Sequence, residues 1–348
     1  MALHNRINGR LLKEKIRSSA EDRMTISFYR YHRIEEPATF RNELYRNFEA
    51  LGVLGRIYVA NEGINAQISV PAAQLEQFRT FLYSIPFLNG VRLNIAVEDD
   101  GKSFFKLKIL VRKKIVADGL KDETFDVTDG GVHVDAEQFN KLADDPNTIL
   151  IDMRNHYESE VGHFKGAILP DVDTFREELQ IAEDLIKEDR NKNLLMYCTG
   201  GIRCEKASAW LKHRGFSNVF QLDGGIIKYA REVREKGIEN KFIGKNFVFD
   251  ERLGERITGD IIATCHQCGA PCDDHTNCRN DACHLLFIQC KSCAEKYEGC
   301  CSDECREFIA LPEDKQRELR KGINKGRQVF RKGRKLKPRQ TPQLKSAE

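Results

Sequence analysis

The sequence predicts a multidomain α/β protein: an N-terminal α+β sandwich, a central α/β domain built on a parallel sheet, a cysteine-rich module and a basic tail. Three observations lead there. The N-terminal third runs through strand and helix patterns in the order β-α-β-β-α-β. Between Ile149 and Leu222, short apolar runs alternate with helical stretches, as strands of a buried parallel sheet do. Ten of the twelve cysteines then fall between Cys265 and Cys305, and Lys and Arg dominate the chain beyond Leu311. With 348 residues the chain exceeds one typical core, so several are expected.

In the first domain, Thr25 to Tyr31 alternates like a strand after a polar leader expected to be mobile. A helix follows from Pro37 to Leu51, with Pro37 tolerated in the first turn and Gly52 at the stop. Two strands, Arg56 to Ala60 and Asn65 to Val70, flank the turn residues Asn61 to Gly63. A helix over Ala72 to Ser84 and a strand over Val91 to Val97 complete the set. This is the split βαβ order of ferredoxin-like or acylphosphatase-like sandwiches.

In the second domain the strands are Ile149 to Asp152, Leu194 to Tyr197 and Val219 to Leu222. The helices are Thr174 to Lys187, Arg203 to His213 and Gly225 to Lys236. Gly237 to Gly259 reads as a linker, and beyond Leu311 a charged helix is expected to fray into disorder. The expected divisions are a leader at 1–22, the sandwich at 23–115, a linker at 116–133, the α/β domain at 134–240, linker plus cysteine-rich module at 241–310, and the tail at 311–348. No run of about eighteen apolar residues and no signal-peptide core occur, so a cytoplasmic protein without membrane contact is expected. The sequence identifies no protein partner.

Cys198 ends a buried strand and opens Cys198-Thr199-Gly200-Gly201-Ile202-Arg203, which leads into a helix. Backbone N–H groups of such a turn converge with the helix N-terminus on one concavity that favours an anion, and so lower the thiol pKa. Gly200 and Gly201 permit the tight path, and Arg203 adds a positive charge near the mouth. Asp152 and Arg154, at the end of an earlier strand, are expected on the same side of the sheet as supporting residues. A buried core cysteine is the alternative reading of Cys198, but the glycine pair and arginine argue against it. For Cys204 a packing role is favoured over a resolving thiol.

These residues resemble the successive landmarks of a rhodanese domain: Asp152-Met153-Arg154, Gly162 to Ala167, the Cys198 loop, and Leu222-Asp223-Gly224-Gly225-Ile226. The resemblance implies a persulfide on Cys198. Related phosphatases use a loop one residue longer, so the position of Arg203 favours sulfur over phosphate.

Cys265-x2-Cys268 and Cys290-x2-Cys293 are two knuckles able to present four thiolates to one tetrahedral ion, zinc being the expected one. Cys272, Cys278, Cys283, Cys300, Cys301 and Cys305 are candidates for a second site, for which we take Cys278, Cys283, Cys301 and Cys305. His266, His275 and His284 are spare candidates. A structural role is favoured because all-cysteine sites are coordinatively closed, and disulfides are disfavoured in a reducing compartment. The formal net charge is only +3, yet the tail concentrates cations with few acids between them. Lys321, Arg327, Arg331, Lys332, Arg334 and Lys335 are candidate phosphate contacts for a nucleic acid.

Three function classes compete: an RNA-modifying enzyme, a small-molecule sulfurtransferase or phosphatase, and an adaptor with an inert fold. The adaptor would not need Cys198 and Arg203, and a small-molecule enzyme would not need the basic tail. One combination carries the detail: Ala60-Asn61-Glu62-Gly63-Ile64-Asn65-Ala66 in the first domain, Cys198 to Lys206 in the second, and Gly244 to Asp250 before the cysteines. It resembles the bacterial oxygen-dependent tRNA uridine(34) hydroxylases along nearly the whole chain. The resemblance implies a tRNA partner, molecular oxygen as co-substrate, and hydroxylation at C5 of the wobble uridine. A rhodanese-type sulfurtransferase is the alternative. No dinucleotide fingerprint or two-histidine-one-carboxylate pattern is present, so the electron donor stays unidentified. For Tyr29 and Tyr31 a core role weighs at least as much as base stacking.

Overall fold

The computed structural model describes residues 3, 7–120, 125–322 and 329. Its first element is a helix, α1 (Gly9–Ser18), where a mobile leader was expected; Lys13 ties it down, pairing with Glu251 at 2.8 Å and lying 4.8 Å from the Phe105 ring centre. The N-terminal domain continues as β1 (Arg23–Tyr31), α2 (Pro37–Ala50), β2 (Leu54–Ala60), β3 (Gly63–Pro71), α3 (Leu75–Ser84), β4 (Asn94–Ile95) and β5 (Leu107–Val111). Sheet order is β4-β1-β3-β2-β5, antiparallel except for the β2–β5 pair. Alternation sorts the residues: Ile26, Phe28, Ile57, Val59, Ala66 and Ile68 bury against Leu44, Phe48, Phe78 and Leu82 of α2 and α3. The strand expected over Val91 to Val97 pairs only at Asn94–Ile95, and β5 was not anticipated because the split βαβ set was already complete without it.

The central domain contains β6 (Val132–Val134), α4 (Ala136–Asp144), β7 (Thr148–Asp152), α5 (His156–Ser159), β8 (Gly162–Phe164), α6 (Phe175–Ile186), β9 (Asn193–Tyr197), α7 (Ile202–His213), β10 (Val219–Leu222) and α8 (Gly225–Lys236). Its sheet, in the order β6-β10-β9-β7, is wholly parallel. The expected linker over Gly237 to Gly259 instead supplies β11 (Phe242–Asn246) and β12 (Glu255–Arg256), with β11 antiparallel to β8. Contact there is so close that a Cβ on Gly162 would lie 2.3 Å from the Lys245 carbonyl oxygen, which accounts for glycine at that landmark.

The C-terminal module is a hairpin of β13 (His275–Asn277) and β14 (Leu286–Ile288), followed by α9 (Lys291–Lys296), α10 (Asp303–Ala310) and α11 (Glu313–Arg320). Leu286 and Ile288 join Tyr157, Val161 and Phe247 in one cluster, so the module is packed onto the central domain. Among the tail candidates Lys321 is exposed, while Arg327, Arg331, Lys332, Arg334 and Lys335 lie outside the described residues. Among the described residues no helix is long and apolar enough to cross a membrane.

Candidate active site

β9 delivers Cys198 to the C-terminal edge of the parallel sheet, and the chain turns at once into α7. Gly201 makes that turn at φ +100°, and its N–H donates to the Cys198 sulfur at 3.1 Å. Beneath the loop, the N–H groups of Ile226 and Ile227 at the start of α8 donate to the carbonyls of Cys198 and Thr199 at 3.0 and 3.2 Å. A Cβ on Gly225 would stand 2.5 Å from the Cys198 carbonyl, so the second glycine pair exists to let α8 approach. Burial pushes the Cys198 thiol up, but the Cys204 S–H, the Arg203 guanidinium and the backbone N–H groups of Cys204 and Arg203 outweigh it and bring the pKa down to about 5. Cys204 is wholly buried, and burial and the neighbouring thiolate hold its own thiol well above the ordinary value. It therefore acts as a hydrogen-bond donor to Cys198 besides filling space.

Arg203 is buried, not open at the mouth, and Glu158 grips it with two bonds of 2.7 and 2.8 Å. Sequence reasoning missed Glu158. The Asn155-x2-Glu158 spacing signals only a helix cap, and Glu158 does accept the Asn155 N–H at 3.1 Å. Asp152 and Arg154 form a fully buried pair behind the loop: Arg154 bonds Asp152 at 2.9 and 2.7 Å and the Gly162 carbonyl at 2.7 Å, and Tyr197 donates to Asp152 at 2.7 Å. They brace β7 against β8 and β9 and take no place on the wall of the cleft. Glu178 of α6 joins this charged layer with both carboxyl oxygens unbonded among the described residues. Burial, then the charges of Asp152 and Glu158, raise its pKa well above the usual carboxylate value.

The N-terminal domain closes over the loop. Tyr29 donates to Glu205 at 2.9 Å, Tyr31 to the Ile202 carbonyl at 3.3 Å and Asn94 to the Gly200 carbonyl at 3.4 Å. Both tyrosines thus belong to the domain contact, with Tyr29 also on the wall of the cleft and Tyr31 away from it. Lys206, 1% exposed, reaches Glu62 at 2.5 Å and Asp118 at 2.6 Å, joining two of the sequence motifs directly. Arg92 pairs with Asp223 of the last landmark at 2.7 Å. Between the domains remains a cleft of about 1190 Å³, with Cys198, Thr199, Gly200, Ile202 and Arg203 on one wall and the N-terminal sheet on another.

Twelve free cysteines are present, and eight gather in two quartets: Cys265, Cys268, Cys290 and Cys293, then Cys278, Cys283, Cys301 and Cys305. Within each, the sulfurs lie within 4.8 Å of one another, with separations of 3.6 Å for Cys268–Cys290, 3.7 Å for Cys283–Cys301 and 3.8 Å for Cys301–Cys305. A tetrahedral ion with Zn–S bonds of ~2.3 Å sets S···S at about 3.8 Å, so both quartets fit a metal ion. Backbone N–H groups of Cys290 and Cys301 donate to Cys265 and Cys278 at 3.3 and 3.4 Å, as thiolate ligands require. Cys272 and Cys300 stay outside the quartets in apolar packing. His266, which meets Glu160 at 2.9 Å, His275 and the exposed His284 are outside them too.

Residues 23–115 match the UPF0176 acylphosphatase like domain, 135–232 the Rhodanese-like domain and 243–306 the Rhodanase C-terminal family. Over 333 residues, 95% of each chain, the sequence is 58% identical to a tRNA uridine(34) hydroxylase of Enterobacter sp. (strain 638). A protein of the same name from Photorhabdus laumondii is 56% identical over 333 residues, 95% of each chain, and one from Yersinia pestis 57% identical over 335 residues, 96% of this chain and 94% of the other. With this similarity running through all three matched regions, the chain belongs to the tRNA uridine(34) hydroxylase family.

Proposed function

We propose that this protein hydroxylates C5 of the wobble uridine of tRNA with molecular oxygen, and that Cys198 is the reacting sulfur. The observation that carries the reading is the acidic thiol itself, ringed by N–H donors on the wall of an interdomain cleft, in a chain so close to named tRNA uridine(34) hydroxylases.

Attack of the Cys198 thiolate on C6 opens the C5=C6 double bond and makes C5 nucleophilic. C5 then takes up O2. A donor's two electrons, with two protons, reduce the outer oxygen to water, and loss of the C5 proton with expulsion of Cys198 restores the ring. The net change is uridine plus O2, two electrons and two protons to 5-hydroxyuridine plus water. Charge that develops on the uracil carbonyl oxygen faces the loop amides and the Arg203 cation, which stabilise it. Asp152 and Arg154 act only through the rigidity of the sheet edge.

Zinc held by the two cysteine quartets shapes the C-terminal module and supplies no step of the reaction. Lys321 and the basic residues Arg327, Arg331, Lys332, Arg334 and Lys335 serve as phosphate contacts for tRNA in the cytoplasm. The test is nucleoside mass spectrometry of tRNA from a strain lacking the gene and carrying either wild-type or Cys198→Ala protein. Wild type restores 5-oxyuridines and the folded, metal-loaded variant does not. Restoration by the variant would sink the thiol mechanism, and loss of a thiolated nucleoside in the deletion strain would point to sulfur transfer instead.

A further inference from the structure

The N-terminal sheet has two faces, and α2 and α3 cover only one. On the other, strand register lines residues up in transverse rows. Tyr29 stands opposite Asn65, Asn65 opposite Tyr58 and Tyr58 opposite Leu110. In the neighbouring row Ser27 meets Gln67, Gln67 meets Arg56 and Arg56 meets Lys108. The β1 end of these rows abuts the reactive loop at Tyr29, whose hydroxyl would lie 2.7 Å from a Cβ on Gly201 and bonds Glu205 of α7. From there the face runs outward by ~4.8 Å per strand, which puts Tyr58 about 10 Å away.

This face is cationic and carries an available ring. Arg56 and Lys108 are exposed, Lys106 is half-buried, and none of them has a carboxylate partner among the described residues. Arg112 lies 5.8 Å from the Tyr58 ring centre, and that ring is half-buried. Elsewhere around the cleft Arg203 is neutralised by Glu158 and Arg252 by Asp250 and Glu255, while Arg41 turns to the carbonyls of Ile109 and Leu3. Unbalanced positive charge is therefore concentrated on the sheet. Arg56, Tyr58, Lys106 and Lys108 line the same cleft as Cys198, and its volume of about 1190 Å³ is more than one base fills.

We propose that the open face of the N-terminal sheet holds the single-stranded nucleotides flanking the reacting uridine, with Tyr58 stacked on a base and Arg56, Lys106, Lys108 and Arg112 on phosphates. The proposal rests on the tRNA reading above. An acidic polypeptide would use the cations equally well but gains nothing from the ring, so the presence of Tyr58 among them favours RNA.

The experiment is fluorescence anisotropy of a labelled anticodon stem-loop RNA against the full-length protein across a salt series. Tyr58→Ala weakens binding about 5- to 150-fold, the worth of one stacked base, while Tyr58→Phe stays near wild type. Arg56→Ala combined with Lys108→Ala lowers the slope of log K against log salt by about 1.4, at ~0.7 per lost phosphate contact on a single strand. Circular dichroism and the alkylation rate of Cys198 establish that each variant is folded, and all three positions lie on the side of the sheet away from its core. Wild-type binding that none of the variants changes overturns the proposal and leaves the tRNA reading standing. Absence of wild-type binding overturns both. Poly-glutamate that binds the wild type and displaces the stem-loop, with no dependence on Tyr58, would make the face a site for acidic protein and also overturn the proposal.

Discussion

Arg203 and Glu158 meet in a two-bond pair, at 2.7 and 2.8 Å, buried directly beside the sulfur of Cys198. The sulfur consequently feels a cation whose charge is already shared with a carboxylate. The acidity of Cys198 thus depends heavily on hydrogen bonds from Cys204, Gly201 and the loop amides. Glu158→Ala strips the partner from a buried guanidinium, and the expected cost is about 3–5 kcal/mol of stability. Glu158→Gln keeps the shape and one acceptor, so it costs less and lowers the thiol pKa further. Urea unfolding measures the first effect and site-resolved alkylation the second; unchanged midpoints in both variants would show that the pair is not coupled to the loop.

The Cys204 thiol donates to the Cys198 thiolate, and removing it has a definite sign. In the wild type, alkylation of Cys198 by iodoacetamide, followed by peptide mass spectrometry, should reach half its maximal rate near pH 5. Cys204→Ala removes a donor to the charged form, so the midpoint moves upward towards that of an ordinary thiol, ~8.5. A resolving thiol would behave differently: its removal would leave the midpoint in place and instead block formation of a Cys198–Cys204 disulfide under oxidation.

Burial, then the charges of Asp152 and Glu158, hold the Glu178 carboxyl well above the usual carboxylate pKa. Its folded pKa is raised, so its contribution to stability is complete below the unfolded carboxylate value and is lost as pH rises through the folded value. Glu178→Gln cannot ionise. Its stability relative to wild type should therefore improve by up to about 1.4 kcal/mol per pH unit from the unfolded carboxylate value, ~4.3, up to the raised folded value, and level off above it. Denaturation midpoints of the two proteins between pH 5 and 9 would test this, and parallel curves would contradict it.

The legible features of the sequence were those with a period or a fixed local geometry. The alternation in Thr25 to Tyr31, the apolar runs of the parallel sheet and the glycine-bearing loop after Cys198 all depend on neighbours in the chain. Glu158 was invisible because its partner Arg203 is far away in sequence and its local spacing is that of a cap. Tyr29 and Tyr31 alternate with core residues, so their face could be inferred, but the domain that covers them could not. In the supposed linker, β11 was missed because its residues become a strand only by pairing with β8.

The two quartets are where the proposed zinc ions would sit. Elemental analysis should find two zinc ions per chain, and Cys283→Ser should remove one. Because unpaired thiolates do not organise a module this small, strong chelators should unfold the C-terminal module while the parallel sheet persists. Tyr157 and Val161 share a cluster with Cys265 and Cys293, so loss of the first ion should also expose that side of the central domain to protease. Full metal content in Cys283→Ser would show that Cys300 or a histidine substitutes.

Lys206 is the remaining test, because it joins the N-terminal and central domains where water hardly reaches. Burial lowers its pKa, but bonds to Asp118 and Glu62 more than restore it, so the ammonium is charged. Glu62 also accepts the Ile115 N–H at 2.6 Å, and Lys114 bonds Asp118 at 2.7 Å, so one cation anchors the segment between the domains as well as both domains. Lys206→Met leaves two carboxylates in a dry contact. The expected loss is about 3 kcal/mol or more, and less if Lys114 takes over part of the charge. The loss should fall on the contact rather than on either core, so scanning calorimetry should split one transition into two, and alkylation of Cys198 should accelerate as the cover lifts. A single transition at the wild-type temperature with unchanged alkylation would mean that Tyr29, Asn94 and Arg92 hold the domains together without the ammonium.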